Sequence, residues 1–320
     1  MTEIVTVTAH ARIHIGLFDL GRVTPRTFGG LGFMVKSPTV KVSAWSDSAV
    51  RIIGSPSLQP LTRQYLRQRV ENLVAAYPGQ GATVDIRTMI PEHVGLGSKT
   101  AMTLAVLTAA ARATGRPVDE QNLQRLSSRG GASGVGIHGF FTGGFVVDAG
   151  TLGDVPLLPS SFQRPSQIPT LIRATPMPEE WMITLVLPPG KKMAGEAESS
   201  FFQRVTPIPR AEVLEQIALA YHGFVPAVID KDLVTFGKVL KTFSTLGLKA
   251  REVAEQGPVV RETITALENV SSCVGMSSMG PLIFAITTAS IANLLPNLPR
   301  GTKVLAETYG ARDGFKVSHG

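Results

Sequence analysis

Three segments of the chain gather residue types able to handle anions and transferred groups. The first is Pro91-Glu92-His93-Val94-Gly95-Leu96-Gly97-Ser98-Lys99-Thr100, which runs directly into an alanine- and leucine-rich stretch. Gly95 and Gly97 let the backbone turn tightly and aim successive N–H groups at one point. A helix start adds unpaired amides and the positive end of its dipole, so an anion is favoured there. Lys99 contributes a full charge, and Ser98 and Thr100 contribute hydroxyls, which together would cradle a phosphate or pyrophosphate. This is not the common P-loop, because no Gly-Lys-Ser/Thr closes a Gly-x-x-x-x-Gly spacing. A glycine turn with a Ser or Thr helix cap is the plainer alternative, and pattern alone leaves both open.

The second segment is Arg129-Gly130-Gly131-Ala132-Ser133-Gly134-Val135-Gly136-Ile137-His138-Gly139-Phe140. Such glycine density suits a backbone that must approach a ligand or another backbone closely. Arg129 and His138 could contact phosphate oxygens or a reacting group, although a lone histidine is more often a structural hydrogen-bonder. The third segment is Arg12-Ile13-His14-Ile15-Gly16-Leu17-Phe18-Asp19. If extended, it places Arg12, His14 and Gly16 on one face with Asp19 in the turn beyond, and an Arg12–Asp19 ion pair is the simpler reading. His10 and His14 would chelate a metal on a helix, but on a strand they lie about 13 Å apart, which excludes a zinc pair. No Ser-His-Asp elbow, HExxH, dinucleotide fingerprint or CxxC is present.

The 320 residues are 43% apolar and 17% charged, enough for a buried core and too apolar for a disordered chain. A single cysteine, Cys273, excludes an internal disulfide and any multi-cysteine metal site. The net charge of +7 suits a polyanionic partner. Basic residues are scattered and only 6% of residues are aromatic, so nucleic-acid binding has no support and a phosphorylated small substrate does. The start, Met1-Thr2-Glu3-Ile4-Val5, has no basic region ahead of an apolar one, and the longest uncharged stretch, Val270 to Pro299, is broken by glycines, Pro281 and serines. The expectation is a cytoplasmic protein without a membrane span.

These segments need elements to hold them. Ile4–Thr8, Val40–Trp45, Val50–Ile53, Thr83–Arg87, Phe145–Asp148 and Met182–Leu187 read as strands. Helices are expected over Leu61–Ala76, Thr100–Thr114, Asp119–Ser127, Ala211–Val228, Asp232–Leu240, Val259–Val270 and Leu282–Leu295, with short strands near Val304 and Phe315. Thr151–Pro178 is proline-rich and irregular, the place for a domain boundary, giving domains 1–165 and 166–320. The class is α+β.

Taken in order, these residues resemble a family. Pro91 to Thr100 is similar to the phosphate loop of the GHMP kinase superfamily, Pro-x-x-x-Gly-Leu-Gly-Ser. Ser133 to Gly144 resembles its next signature, and Ser271 to Pro281 stands at its C-terminal glycine motif. Within the superfamily the resemblance is closer to the β-ribofuranosylaminobenzene 5′-phosphate synthases. It rests on Arg12-Ile13-His14, Gly29-Gly30-Leu31-Gly32-Phe33, Gly95 to Thr100, Arg129-Gly130-Gly131, Ser133-Gly134-Val135-Gly136, Gly143 to Asp148 and Gly275-Met276-Ser277-Ser278. It implies the GHMP two-domain fold, with an N-terminal domain like domain 2 of ribosomal protein S5 and a ferredoxin-like C-terminal domain.

One departure separates kinase from synthase. The kinases usually read Ser-Gly-x-Asp, the carboxylate acting as base toward the phosphoryl acceptor; here Ser133-Gly134-Val135 is followed by Gly136. The synthases also lack that carboxylate, so the resemblance implies a decarboxylating C-ribosyltransferase, with an ATP-dependent small-molecule kinase as the alternative. Phosphoribosyl pyrophosphate and an aromatic carboxylic acid would be the substrates, Mg2+ the cofactor, and a homodimer the assembly. The expected roles are Lys99 and Ser98, with the Gly95–Thr100 backbone, on pyrophosphate, and Arg129 and the Gly30–Gly32 backbone on the ribose phosphate or ring, with Gly29 and Gly130 also binding substrate. Arg12, His14 and His138 would serve the aromatic carboxylate or proton handling, Ser133, Gly134, Gly136, Ser277 and Ser278 would line the site, and Asp19 and Asp148 would hold the metal or the ribose hydroxyls. Ala101 after the Gly-Ser-Lys-Thr run, and the His138-Gly139-Phe140-Phe141 stretch, favour a pyrazole carboxylate of the C-nucleoside antibiotic branch over p-aminobenzoate.

Overall fold

Alternation starts the fold. In β1 (Val5–Asp19), Val5, Val7, Ala9 and Ala11 face inward from one side, and from Ile13 onward both faces are buried. β1 pairs antiparallel with the long β2 (Arg26–Asp47), which pairs with β4 (Gly81–Thr88); β3 (Arg51–Gly54) joins β4 in parallel. β12 (Lys316–His319) returns to the outer edge of β1, giving the order β12-β1-β2-β4-β3. The first part of β2 also pairs with β5 (Phe145–Asp148) and β6 (Thr151–Leu152), and β5 pairs with β7 (Leu171–Thr175). The structure, a computed structural model, describes residues 3–76, 79–158, 165–193, 195–294 and 298–320.

Three helices pack on this sheet, α1 (Pro60–Val74), α2 (Ser98–Ala113) and α4 (Val135–Thr142), and α3 (Glu120–Ser127) packs against α1 and α2. α2 is almost wholly buried from Ala101 to Ala111, which its run of alanines permits by letting the sheet and neighbouring helices approach closely. The second sheet is antiparallel, with β11 (Lys303–Tyr309), β8 (Met182–Leu187), β10 (Ile283–Thr287) and β9 (Val274–Met276) in that order. Its helices are α5 (Glu196–Val205), α6 (Arg210–Leu219), α7 (Val225–Ile229), α8 (Leu233–Ser244), α9 (Gly247–Gln256) and α10 (Pro258–Glu268), with a π-helical turn at Ala220–Phe224 joining α6 to α7. One apolar core crosses between the two sheets, where Phe33 of β2 meets Phe284 of β10 edge-on at 5.5 Å. The α+β class therefore holds. The division expected near residue 165 leaves β7 and β12, both from the second half of the chain, in the first sheet.

Most expected elements are present, and the differences have physical causes. Leu282–Leu295, expected as a helix, is strand β10 followed by a bend and a 3-10 turn at Ala292–Leu294. A strand buried on both faces is apolar without alternation, so its pattern cannot be told from a buried helix. α4 forms inside the glycine-rich stretch, while α5 and α9, with few apolar residues, gave no readable stripe. No helix among the described residues is long and apolar enough to cross a membrane.

Candidate active site

The phosphate-type loop lies where β1, α2 and the C-terminal Ser-rich loop converge. α2 begins at Ser98 with Gly97 as its N-cap at φ 68°, and no side chain caps it, which leaves opening amides for a ligand. A Cβ on Gly97 would sit 2.6 Å from Arg12 Cγ, and one on Gly95 would sit 2.4 Å from the Ser277 carbonyl oxygen. Those glycines are what allow Arg12 and the Ser277 loop to close on the segment. Arg12 Nη1 donates to the Gly95 carbonyl at 2.9 Å. Ser277, fully buried, accepts from the His14 N–H at 3.0 Å and donates to the same Gly95 carbonyl at 2.7 Å. The Ser278 N–H donates to the His14 carbonyl at 2.8 Å.

Two adjoining compartments open on this junction. The first, a cavity of about 150 Å³, is lined by the whole run from Gly95 to Thr100 with His93 and Met193. The second, also about 150 Å³, has His14, the Arg129–Ser133 loop and Gly136 on its polar side and Leu17, Leu157, Phe202 and Leu248 on its apolar side. Arg12, Thr100, Arg129, Glu198, Ser278 and Met279 line both. Arg129 Nε donates to Thr100 Oγ1 at 3.2 Å, linking the two glycine-rich segments.

The electrostatics divide the roles. Burial first, then the charge of Arg129, pull the Arg12 guanidinium down to about 10, so it remains cationic at neutral pH. His14 is 5% exposed, and neither ring nitrogen has a hydrogen-bond partner among the described residues. Burial, with Arg12 and Lys249 nearby, holds it well below the usual histidine range, so the imidazole is neutral. Lys249, 2% exposed, lies beneath the site: its Nζ donates to the Met276 and Ser278 carbonyls and pairs with Glu252 at 2.5 Å. Glu198 of α5 is raised to about 7, chiefly by burial and then by Glu252, against the pull of Arg129 and Lys99.

Of the residues singled out from sequence, Arg12, His14, Gly95, Leu96, Gly97, Ser98, Lys99, Thr100, Arg129, Gly130, Ser133, Gly136 and Ser278 come together here. Ser277 acts one step behind, as a clasp. Gly29, Gly30, Leu31 and Gly32 do not reach the cavity. The three glycines, lacking a Cβ, let β2 lie against β1 and the turn after β5: a Cβ on Gly32 would meet the Ile13 carbonyl at 2.2 Å, and one on Gly29 the Asp148 carbonyl at 2.9 Å. His138 is also elsewhere. Its Nε2–H donates to the Pro169 carbonyl at 2.7 Å and its Nδ1 faces the Gln124 amide at 3.4 Å, on the groove between α3 and residues 166–171. Gly134 serves structure too, its N–H donating to Asp148 at 2.8 Å.

The expected metal ligands do not fit a resident magnesium ion. Asp19 accepts from the backbone N–H groups of Gly21, Val23 and Thr24 at 2.8–3.2 Å. Asp148, fully buried and raised to about 7 by that burial, accepts from Gly134 and Gly150. Neither lines the cavity, and among the described residues no group of three His, Cys, Asp or Glu could hold a metal. Sequence reasoning missed Glu198, Lys249 and Glu252, because α5 and α9 carry no motif.

The GHMP kinases N terminal domain family matches residues 64–144. The chain is 34% identical to the β-ribofuranosylphenol 5′-phosphate synthase of Archaeoglobus fulgidus, over 89% of this chain and 88% of that protein. It is 30% identical to the enzyme of the same name from Methanocaldococcus jannaschii, over 86% and 87%. Among solved structures, homoserine kinase from Cytophaga hutchinsonii superposes with a TM-score of 0.72 at 17% identity, covering 98% of this chain and 97% of that one. Mevalonate diphosphate decarboxylase from Enterococcus faecalis gives 0.64 at 13% identity, with full coverage of both chains. These structural likenesses show the fold, and the sequence relatives show the family. The chain belongs to the β-ribofuranosylphenol 5′-phosphate synthases, ribosyl-transferring enzymes on the GHMP kinase fold.

Proposed function

We propose that the protein joins phosphoribosyl pyrophosphate to an aromatic carboxylic acid through a carbon–carbon bond, releasing CO2 and pyrophosphate. The observation that carries this reading is the pair of compartments sharing Arg12, Thr100, Arg129 and Ser278, one rich in backbone amides and the other with an apolar wall facing its polar side. Pyrophosphate belongs in the first, on the opening amides of α2, Ser98 and Lys99. The aromatic ring belongs in the second, between Leu17, Leu157, Phe202 and Leu248. Their junction is where ribose C1 and the ring carbon meet.

The chemistry asks little of the protein beyond charge and position. The C1–O bond breaks with its electron pair going to pyrophosphate, whose new charge Lys99 and the α2 amides stabilise. The ring carbon bearing the carboxylate supplies a π pair to C1, and the C–CO2 pair then returns to the ring as CO2 leaves. Two anionic substrates repel each other, so Arg12 and Arg129 at the junction let them approach. The apolar wall excludes water, which would otherwise capture the ribosyl centre. His14 contributes a neutral imidazole to the wall of this compartment. Magnesium accompanying the substrate would add to the neutralisation of the pyrophosphate charge.

The relatives' name specifies a phenol product, which supports p-hydroxybenzoate as the acceptor. The pyrazole carboxylate loses its footing: Ala101 lies buried in α2, and His138, Phe140 and Phe141 are not among the residues lining the cavity. Gly136, standing where the kinases carry their base, lines the acceptor compartment without a carboxylate and disfavours phosphoryl transfer. The test offers phosphoribosyl pyrophosphate with p-hydroxybenzoate, p-aminobenzoate or a pyrazole dicarboxylate. Pyrophosphate release dependent on a benzoate supports the reading, whereas ATP consumption with an alcohol acceptor restores the kinase.

A further inference from the structure

Two carboxyl groups face a cavity otherwise built for anions, and nothing in the transfer chemistry above uses them. Glu252 is 5% exposed, is fixed by its 2.5 Å ion pair to the buried Lys249, and lines the acceptor compartment. Glu198 lines both compartments and forms no hydrogen bond or ion pair with any described residue. It does not neutralise Arg12, Arg129 or Lys99 by pairing. Its lining position at the junction gives it free acceptor oxygens toward whatever binds there.

A phosphate, a pyrophosphate or an aromatic carboxylate would be repelled by these groups. The part of a phosphoribosyl substrate that seeks an acceptor is its neutral cis-diol, with two O–H donors on adjacent carbons. A carboxyl accepts hydroxyl donors at its oxygens, and a site built to accept from a hydroxyl discriminates against a sugar that lacks it. We propose that Glu198, next to the Lys249-anchored Glu252, accepts hydrogen bonds from the ribose hydroxyls and selects ribosyl over deoxyribosyl substrates. This rests on the phosphoribosyl reading of the site.

The test measures competition by ribose 5-phosphate and by 2-deoxyribose 5-phosphate for the phosphoribosyl pyrophosphate site, in the full-length wild type and in Glu198→Gln. Wild type should prefer the ribose compound by about tenfold, and Glu198→Gln should narrow that preference to about twofold while binding the deoxy compound as before. Glu198→Asp should retain an intermediate preference, and thermal melts check that each variant is folded. An unchanged preference in Glu198→Gln overturns the proposal, as does an equal loss for both sugars. A variant that keeps the preference but needs more magnesium also overturns it, because Glu198 then serves the metal. If wild type binds neither sugar phosphate nor phosphoribosyl pyrophosphate, the phosphoribosyl reading falls and this inference with it; if it binds both sugars without preference, only this inference falls.

Discussion

Lys99 is the one ammonium that the glycine-rich loop itself presents to the first compartment, and its charge meets the leaving pyrophosphate. Lys99→Ala should raise the KM for phosphoribosyl pyrophosphate at least tenfold and leave that for the aromatic acid within about twofold; an unchanged first value removes the pyrophosphate from the loop. Glu198 gives a stability test. Its carboxyl is raised to about 7 in the folded chain against 4.5 unfolded, by burial and Glu252, with Arg129 and Lys99 opposing. The native state therefore holds this proton more tightly than the unfolded state between those values, so the group's contribution is full below 4.5 and declines as pH rises toward 7. Urea unfolding should show wild type losing stability relative to Glu198→Gln from pH 5 to pH 8, and a difference that does not move with pH contradicts the shifted carboxyl. At this scale the sequence was readable where chemistry sat in a glycine-framed run, as at Gly95–Thr100 and Arg129–Ser133. It was not at Glu198, Lys249 and Glu252, whose proximity comes only from packing α5 and α9 beside the Ser277 loop.

Elements position the site through backbone approach more than through side-chain packing. β1, the Gly95 loop and the loop after β9 are held together by Ser277 Oγ, which serves both the His14 N–H and the Gly95 carbonyl. Ser277→Ala leaves the buried His14 N–H without its side-chain acceptor and the Gly95 carbonyl with Arg12 as its side-chain donor, and should cost about 1–3 kcal/mol in urea unfolding. Activity should fall as well, because the Gly95 carbonyl also receives Arg12. A variant as stable and as active as wild type would show that the clasp does not hold the loop. The same closeness explains why glycine density misleads at Gly29–Gly32. A glycine is required wherever backbone meets backbone, and that signal is the same whether a strand or a ligand is the neighbour. β10 was misread for a related reason: burial on both faces erased the alternation that marks a strand.

Across the whole molecule, both halves of the chain contribute to one cavity. Arg12, His14, Lys99 and Arg129 come from the first sheet and its helices, whereas Glu198, Glu252, Ser278 and Met279 come from the second. The core that joins them runs through Phe33 and Phe284 without interruption. The motif order along the chain made the GHMP fold readable in advance, but the crossing of β7 and β12 into the first sheet depends on long-range pairing that no local pattern encodes. The amide-rich loop, standing beside a compartment that carries one apolar wall, is what argues for joining a pyrophosphorylated sugar to an aromatic ring. Its most direct test follows pyrophosphate and CO2 together during turnover of phosphoribosyl pyrophosphate with p-hydroxybenzoate and magnesium. Release of the two in equal amounts, dependent on the acid, is the predicted result. Pyrophosphate without CO2, or no release of either while ATP is consumed, would contradict it.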